Sequence, residues 1–471
     1  MADIHYWTAR EQAAAIRNRE ISSEELVHAH LSRIEQIDPM INAMVTVQPE
    51  HALELARKAD ARTMSGESLG PLHGLPIAHK DTLETAGLRT THGSPIFSDN
   101  IPTRSQLVVE RTHAAGAIPI GKTNVPELGL GSHTVNPLFG ATRNPYDRTR
   151  SAGGSSGGAA AALAAGLIPI ADGSDTGGSL RNPASFNNIL GIRSSASRVP
   201  TWPNKAAWGY LSVKGPLARN VGDLQLLLSV MSGPDPRSPI SFEDDNPLFE
   251  YERSARGLKI AWAPDLGGLP VDPDVTATLA ATVGALPSMG CHLEQACPDL
   301  SGADEVFLTL RAWQLELSYG PLLDTQRSAL GPNAIWNIQQ GRTLTGHDIG
   351  RAEILRTELF HRMRAFFDDY DLLLAPVSQV APFPIEWNYP TTIDGEAMNT
   401  YLDWMKSAYL ISATGCPAMS VPGGFTPTGL PVGLQIIGPH RNEARLLQLA
   451  HAIETATEFG QRRPHLPPTH I

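Results

Sequence analysis

Residues 150–183 read RSAGGSSGGAAAALAAGLIPIADGSDTGGSLRNP, and no other stretch of the chain is as informative. It holds two glycine-flanked serine clusters, around Ser155 and Ser179, separated by a run of small residues and a short apolar segment. A flexible Gly/Ser linker is excluded because the intervening segment is apolar and periodic. The pattern predicts a helix over 157–165 and a short strand over 167–171, with a serine cluster at each end.

Short apolar runs and helical patterns also alternate on both sides of this stretch. A helical pattern covers 105–115, and strand-like runs lie at 75–78, 117–120, 372–375, 418–421 and 432–437. This alternation is typical of an α/β protein. Because the strand-like runs occur in both halves of the chain, we predict one sheet that both halves complete.

We find no internal repeat, and we predict a single domain over 1–471. It would contain N-terminal helices at 1–65, a core at about 66–232 with both serine clusters, and a mostly helical section at about 240–366. That section would be inserted before the C-terminal part that completes the sheet. Residues 232–256 contain SGPDPRSP followed by acidic residues, which indicates a surface connection.

The first 60 residues have a helical pattern. Thr8 with Glu11, and Ser22 with Glu25, have the spacing of capping boxes at two helix N-termini. The apolar periodicity of the second helix is predicted to end at Asp38-Pro39, since proline does not continue a helix.

The composition excludes several classes of protein. The 471 residues include 37 Lys+Arg and 48 Asp+Glu, a net charge of −11, which disfavours binding to a nucleic-acid phosphate backbone. No stretch has the apolar length needed to span a bilayer, and the N-terminus lacks the pattern of a signal peptide. We therefore predict a soluble cytoplasmic protein with no nucleic-acid and no membrane partner.

The three cysteines, Cys291, Cys297 and Cys416, cannot all pair with one another. A disulfide framework is therefore not expected, and the pattern fits a reducing compartment. The histidines and cysteines also lack the spacing of metal ligands. We predict neither a metal nor a cofactor.

Residues 116–123, GAIPIGKT, match the phosphate-loop pattern G-x-x-x-x-G-K-T. That motif works through a flexible glycine-rich loop that runs into a helix N-terminus. Here the loop positions are the stiff, apolar AIPI, and the following Asn-Val-Pro starts a helix poorly. We interpret Lys122 as a strand-end lysine without a nucleotide.

Residues 153–157, GGSSG, match the nucleophile elbow G-x-S-x-G of α/β-hydrolases. The elbow requires a buried strand immediately before it, but the preceding residues are polar and turn-like. The histidines that could complete a Ser-His-Asp triad, at 440, 451 and 465, have no supporting sequence context. This interpretation of Ser155 is therefore disfavoured.

The glycines of the two serine clusters have a physical use. Gly177 and Gly178 allow backbone N–H groups next to Ser179 to approach a reacting carbonyl closely, as an oxyanion hole requires. The glycines on both sides of Ser155 permit strained backbone geometry.

With these clusters, the chain resembles the amidase signature family and its GGSSGG…DTGGS motif. The resemblance continues at 74–81 (GLPIAHKD), 121–127 (GKTNVPE), 136–140 (NPLFG), 215–219 (GPLAR) and 431–435 (PVGLQ). The separations of Lys80, Ser155 and Ser179 agree with the family pattern. The resemblance implies a three-layer α/β/α fold with a large mixed central β-sheet surrounded by helices.

The resemblance also implies a catalytic set. Ser179 would be the nucleophile, Ser155 would relay the proton from a cis peptide bond, and Lys80 would be the base. A free lysine has a pKa near ~10.4, so burial would have to lower it. The oxyanion would be held by the N–H groups of Thr176, Gly177, Gly178 and Ser179.

Position in the family motifs indicates which residues border the substrate. The predicted substrate-binding residues are Gly129, Leu130, Gly131, Ser132 and Gly154. Residues 375–390 carry Phe383, Trp387 and Tyr389, which we predict to form a wall of the entrance. Small and apolar lining favours a hydrophobic or aryl acyl group over a charged one, and the same acyl chemistry would serve esters and carbamates.

Four further residues lie around the nucleophile in sequence or in the motif. Asp175 and Arg181 are predicted to form a buried pair that braces its loop, and Ser156 and Ser174 are predicted to hydrogen-bond around the catalytic set. The chain departs from the family after the nucleophile helix, where Arg193 replaces a lysine. This departure affects only the expected shape of that loop.

Three functions remain open from the sequence. The first is a stand-alone amidohydrolase, monomeric or homodimeric, that acts on a small-molecule amide or carbamate. The second is the glutamine-hydrolysing A subunit of a tRNA-dependent amidotransferase complex. The third, a catalytically inactive binding protein of the same fold, is disfavoured because Lys80, Ser155 and Ser179 are all present.

Overall fold

The computed structural model describes residues 3–243 and 254–467, so part of the predicted connection at 232–256 lies outside the described residues. Its centre is a mixed sheet of eleven strands with helices around it, which confirms the predicted α/β fold. Among the described residues, no helix is long and apolar enough to cross a membrane.

Six of the strands follow the predicted runs, with bounds shifted by a few residues, and the others were not predicted as strands. In the described residues they are β1 Met44–Val47, β2 Pro76–Lys80, β3 Ile118–Thr123, β4 Val135–Asn136, β5 Gly140–Ala141, β6 Ile170–Asp175, β7 Leu190–Arg193, β8 Val213–Ala218, β9 Lys259–Trp262, β10 His292–Gln295, β11 Leu372–Pro376, β12 Thr392–Ile393, β13 Glu396–Ala397, β14 Ala418–Phe425 and β15 Pro431–Ile437.

The helices lie around the sheet and make up most of the predicted helical section. In the described residues they are α1 Ala9–Arg17, α2 Ser23–Ile41, α3 Pro49–Ser65, α4 Leu107–Ala114, α5 Gly157–Ala164, α6 Arg181–Phe186, α7 Val221–Met231, α8 Pro273–Gly284, α9 Ala303–Thr325, α10 Pro332–Thr343, α11 Gly346–Asp369, α12 Lys406–Thr414 and α13 Glu443–Thr457.

The strand order of the large sheet is β1-β3-β2-β6-β8-β7-β14-β15-β11-β9-β10. β2 is parallel to β3 and β6, whereas β8 is antiparallel to β6 and β7. The two halves of the chain meet where β7 pairs with β14, for example at Ile192 and Met419. One sheet is therefore completed by both halves, as predicted.

The N-terminal helices show one confirmed and one wrong prediction. Both capping boxes, at Thr8 and at Ser22, are present. The predicted end of α2 at Asp38-Pro39 is wrong, because the helix continues to Ile41 with Pro39 inside it. The helix ends at Asn42, which adopts a left-handed conformation, and the Asp38 carboxylate accepts from the N–H groups beyond it.

Two strands inside the predicted helical section were missed. β9 and β10 pair in parallel at one edge of the sheet, and β9 also pairs with β11. β10 has the sequence HLEQ and is largely exposed, so it lacks the apolar run by which buried strands are recognised. The division of the chain into sections stays a prediction.

The helix between the serine clusters packs unusually closely. All eight residues of α5 are buried. A Cβ on Gly158 would lie 2.3 Å from the backbone nitrogen of Asn124 and 2.7 Å from the carbonyl oxygen of Ala43. Only a residue without a side chain fits between these backbone atoms, which places α5 and the cluster at its N-terminus against the loop after β3.

We therefore expect Gly158→Ala to destabilise the protein by about 1–3 kcal/mol through overpacking. Urea unfolding followed by circular dichroism measures this. The matched control is Gly284→Ala at the end of α8, where a Cβ meets nothing within 4 Å. Equal stability of the two variants would contradict the packing argument.

Candidate active site

The candidate site lies at the ends of two neighbouring parallel strands, β2 and β6. Lys80 is the last residue of β2, and Ser174 is near the end of β6. The turn after β6 carries Ser179, and the loop before α5 carries Ser155. The carboxyl ends of parallel strands in an α/β sheet are where ligand sites commonly lie.

The amine of Lys80 is held by two serine hydroxyls. Its side chain has no exposed surface, and Nζ donates to Ser155 Oγ at 2.7 Å and to Ser174 Oγ at 2.9 Å. Burial lowers the pKa of Lys80 to about 7. The amine can therefore exist in its neutral, proton-accepting form near neutral pH.

The two serine clusters are bonded to each other. The peptide bond Gly154–Ser155 is cis, as the resemblance implied. The N–H of the next residue, Ser156, donates to the carbonyl oxygen of Ser179 at 3.2 Å. The predicted hydrogen bond of Ser174 is present, whereas the Ser156 hydroxyl finds no partner among the described residues and only its backbone contributes.

A buried carboxylate lies behind Lys80. Asp172 accepts from the backbone N–H of Lys80 at 2.9 Å, and its second oxygen contacts Nδ1 of His79. His79 in turn contacts His113 through their Nε2 atoms at 2.9 Å. Burial lowers the pKa of His113 to about 3, so this histidine is neutral. The chain of contacts holds the end of β2 against β6.

The turn before Ser179 requires glycine at two positions. A Cβ on Gly177 would lie 2.6 Å from the ring of Phe307, and Gly178 has a φ of +109°. The N–H of Gly178 donates to Asp175 at 2.9 Å in this structure. A contact from Gly178 to an oxyanion would therefore require that bond to be given up.

The other predicted N–H donors are in a different situation. Within the described residues, the backbone N–H groups of Thr176, Gly177 and Ser179 donate to no other protein group. Ser179 itself is 8% exposed, so this part of the turn is nearly shielded from solvent. The turn thus offers N–H groups for an acceptor supplied by a ligand.

The predicted pair of Asp175 and Arg181 is confirmed and is larger than expected. Arg181 donates to both carboxylate oxygens, at 3.0 and 3.1 Å. Arg193, the residue at the departure from the family pattern, donates to the Asp175 carbonyl oxygen at 2.6 Å. Burial opposes ionisation of Asp175, but the two guanidinium groups hold the pKa of its carboxyl well below the usual range.

A cavity of about 340 Å³ opens beside the predicted substrate loop. It is lined by Pro126, Glu127, Leu130, Gly131, Ser132, His133, Val135, Asn136, Pro137, Gly331, Pro332, Asn333, Ala334, Asn388, Tyr401 and Trp404. Three predicted substrate-binding residues are among them. The other two lie beside the cavity: a Cβ on Gly129 would be 3.8 Å from Ser155 Oγ, and Gly154 packs against the backbone of Ser132 and His133.

The cavity is connected to the turn that carries Ser179 through the side chain of Asn182. Asn182 donates from Nδ2 to Ser132 Oγ at 3.0 Å and from its backbone N–H to the Gly178 carbonyl oxygen at 2.7 Å. The wall of the cavity and the turn with Ser179 are thus joined by two hydrogen bonds.

The predicted entrance wall is not where the sequence placed it. Phe383 is buried and packs on Trp404, and Trp387 is half-exposed without lining the cavity. Tyr389 does not line the cavity either, whereas its neighbour Asn388 does. The aromatic lining comes instead from Tyr401 and Trp404, which no motif distinguished.

Tyr401 is held in place from the buried side. A Cβ on Gly131 would lie 3.3 Å from the Tyr401 ring. The Tyr401 hydroxyl accepts from Arg311 and from Asn337, each at 2.6 Å. These residues are far apart in sequence, so only their juxtaposition in the fold identifies them.

The two disfavoured motifs behave as expected. Residues 116–123 enter β3 rather than forming a phosphate loop, and no strand of the described structure directly precedes Ser155. Lys122 lies at the strand end but, unlike most lysines, is fully buried, and it donates to the Leu83 carbonyl oxygen and to Thr85 Oγ1. Its side chain joins β3 to the loop after β2.

The described residues contain no group of three His, Cys, Asp or Glu side chains arranged to hold a metal ion. The absence of a cofactor stays a prediction.

Comparison with known proteins gives a family and relatives over nearly the whole chain. The sequence model of the Amidase family matches residues 25–447. The chain is 35% identical over 467 residues to an acylamidase of Rhodococcus erythropolis, covering 98% of each chain. It is 37% identical over 494 residues to the A subunit of a glutamyl-tRNA(Gln) amidotransferase from Moorella thermoacetica, covering 98% of this chain and 99% of the relative.

Solved structures agree with this result. A bacterial aryl acylamidase described as an amidase signature enzyme superposes with a TM-score of 0.92 at 29% identity. The match covers 98% of this chain and 100% of that enzyme.

We expect Asp175→Asn to destabilise the protein by about 3–5 kcal/mol, because it leaves Arg181 and Arg193 buried without their counter-ion. Urea unfolding at pH 7 measures the change. The matched control is Glu305→Gln, which breaks an exposed pair with Arg351 and should cost less than about 1 kcal/mol. A stable Asp175→Asn variant would contradict the bracing role.

Proposed function

This chain belongs to the amidase signature family and is an amide-hydrolysing enzyme, and within the family we propose a stand-alone acylamidase that works through an acyl-enzyme on Ser179. The observation that carries the proposal is the buried contact of 2.7 Å between Lys80 Nζ and Ser155 Oγ. It supplies a base and a hydroxyl relay next to the turn that carries Ser179.

In the proposed first step, neutral Lys80 accepts the proton of Ser155, and Ser155 accepts the proton of Ser179. Ser179 Oγ attacks the amide carbonyl carbon and forms a tetrahedral intermediate. The backbone N–H groups of Thr176, Gly177 and Ser179 stabilise the oxyanion, which supplies several kcal/mol of transition-state stabilisation in enzymes of this type. The N–H of Gly178 also donates to the oxyanion when its hydrogen bond to Asp175 is released.

In the second step, the proton returns through Ser155 to the leaving nitrogen, and the C–N bond breaks. The amine departs and leaves an ester between the acyl group and Ser179. Water then attacks this ester, with Lys80 and Ser155 again accepting a proton, and the carboxylic acid is released. All groups in these steps belong to this chain, the substrate or water.

The cavity supports a hydrophobic or aryl substrate. Its lining offers apolar surface from Leu130, Val135 and the rings of Tyr401 and Trp404. Aromatic rings suit an aryl group because offset and edge-to-face contacts add to the burial of apolar area. The relatives named as acylamidase and aryl acylamidase support the same substrate class. Esters and carbamates with such groups belong to the proposal.

The alternative is the A subunit of a tRNA-dependent amidotransferase, which a relative of similar identity supports. Glutamine carries an ammonium and a carboxylate, and the described residues that line the cavity include no lysine or arginine. Its one carboxylate, Glu127, already accepts from Ser94 Oγ and from the Gly331 N–H. This favours the stand-alone enzyme, for which we also propose a cytoplasmic location and no nucleic-acid partner.

The first test is a panel of anilides, alkyl amides, aryl esters, carbamates and glutamine. We expect aryl and hydrophobic amides to be turned over and glutamine not to be. Ser179→Ala should lower kcat/KM at least about a thousand-fold, and Ser155→Ala about 10²–10⁴-fold.

The matched control for that panel is Ser288→Ala, an exposed serine near edge strand β10, which should retain full activity. Unchanged turnover by Ser179→Ala would refute the assignment. Glutamine hydrolysis that depends on added amidotransferase partner proteins would select the alternative function.

The pH dependence tests the base. Below pH 7 the amine of Lys80 becomes protonated and cannot accept a proton, so kcat/KM should fall about tenfold per pH unit there and level off above about pH 7–8. Lys80→Arg, which stays protonated, should be inactive throughout. A profile that is flat from pH 5 to 9 would contradict the role of Lys80.

A further inference from the structure

A second lysine lies across the strand from the residue that holds Lys80. In the antiparallel pair of β6 and β8, Ser174 stands directly opposite Lys214. Opposite residues of such a pair project from the same face of the sheet, with Cβ atoms roughly 4.5–5.5 Å apart. Ser174 Oγ is the atom that accepts from Lys80 Nζ at 2.9 Å. The side chain of Lys214 therefore starts next to the bound amine.

Lys214 is not explained by an ordinary structural role. It is partly buried, and within the described part of the chain it makes no salt bridge and no side-chain hydrogen bond. Burial lowers the pKa of the Lys214 amine, and the charge of Asp172 offsets this only in part, so a protonated amine at this position costs stability. A positive charge kept at this position therefore calls for a reason beyond packing.

We propose that Lys214 is a positioning residue whose positive charge keeps the amine of Lys80 in its neutral, proton-accepting form. It acts through Lys80 and not on the substrate. The inference rests on the function proposed above, in which Lys80 is the base.

The charges around Lys80 support this role. Burial is the largest cause that lowers the pKa of Lys80, and the charge of Lys214 is the next. Asp175 and Asp172, both on β6, act in the opposite direction and raise it. Asp175 is itself paired with Arg181 and Arg193, but without the charge of Lys214 the two carboxylates would still favour the protonated form of Lys80.

In the described structure, the other elements packed on β2, which are β3, α5 and α2, add no charge that acts on the Lys80 amine. The residue of β3 opposite Lys80 is Thr123, and Lys122 stands opposite His79. α5 consists of glycine, alanine and leucine, and none of the charged groups of α2 bears on the amine. Lys214 is thus the cation that counteracts the effect of the two carboxylates of β6 on the Lys80 amine.

The pKa values of the two lysines differ in the direction that this role requires. Burial lowers the pKa of Lys214 to about 8, whereas that of Lys80 is lowered to about 7. At neutral pH, Lys214 keeps its proton while Lys80 can release its own. Protonating both at once is opposed by their mutual repulsion.

The test measures the pH dependence of Ser179 reactivity directly, with a fluorophosphonate as a serine-directed probe. The second-order labelling rate is followed from pH 5.5 to 9 in wild type, Lys214→Met and Lys214→Arg. Lys259→Met on β9, an exposed lysine of the same sheet, is the matched control. Thermal unfolding of each variant shows that it is folded.

We expect Lys214→Met to move the acidic limb of the profile upward by roughly 0.5–1 pH unit. Its labelling rate at pH 6 should then fall about 3–10-fold while the rate at pH 9 stays within about twofold, because Lys80 is neutral there in both proteins. Lys214→Arg, which keeps the charge, and Lys259→Met should retain the wild-type limb.

The inference is overturned if the acidic limb of Lys214→Met is unshifted, or if its labelling rate falls equally at every pH. It is also overturned if the limb of Lys214→Arg shifts as far as that of Lys214→Met. If Lys214→Met does not fold, Lys214→Gln repeats the test with a polar end and no charge. Failure of the proposed function looks different: wild type would not be labelled, or labelling would survive Ser179→Ala.

Discussion

The proposed chemistry depends on the burial of one amine. Lys80 has no exposed surface, and its Nζ contacts only the hydroxyls of Ser155 and Ser174 among its hydrogen-bond partners in the described chain. In water, a lysine is protonated at neutral pH and cannot act as a base. Removing the amine from water reverses this preference, so the sheet must bring the ends of β2 and β6 together and exclude solvent from them.

The need to hold β2 and β6 together around a buried amine accounts for the buried carboxylates near the site. Asp172 ties the Lys80 backbone to β6, and Asp175 ties the turn that carries Ser179 to two buried arginines. Each carboxylate also favours a protonated Lys80. The structural need for these anions and the chemical need for a neutral amine therefore conflict, and a nearby cation such as Lys214 resolves the conflict without removing either carboxylate.

The cavity is lined by both halves of the chain, whereas Lys80, Ser155 and Ser179 all belong to the first half. Gly131 and Ser132 belong to the first half, whereas Tyr401 and Trp404 follow the last long helix of the helical section. Asn182 joins the cavity wall to the turn with Ser179. The acyl chemistry can thus stay constant while the second half varies the shape of the cavity, which is consistent with relatives of different names at similar identity.

The sequence by itself determined the local features: the serine clusters, the capping boxes, six of the strands and the choice of Lys80 as the candidate base. Each of these depends on neighbours within a few residues or on a motif of fixed spacing. It failed at Pro39, at the polar edge strand β10 and at the aromatic wall of the cavity. Only the tertiary structure decided these features, the pairing of Ser174 with Lys214, and the joining of Arg193 to Asp175. Burial and cross-strand contacts arise between residues distant in sequence, and no local pattern records them.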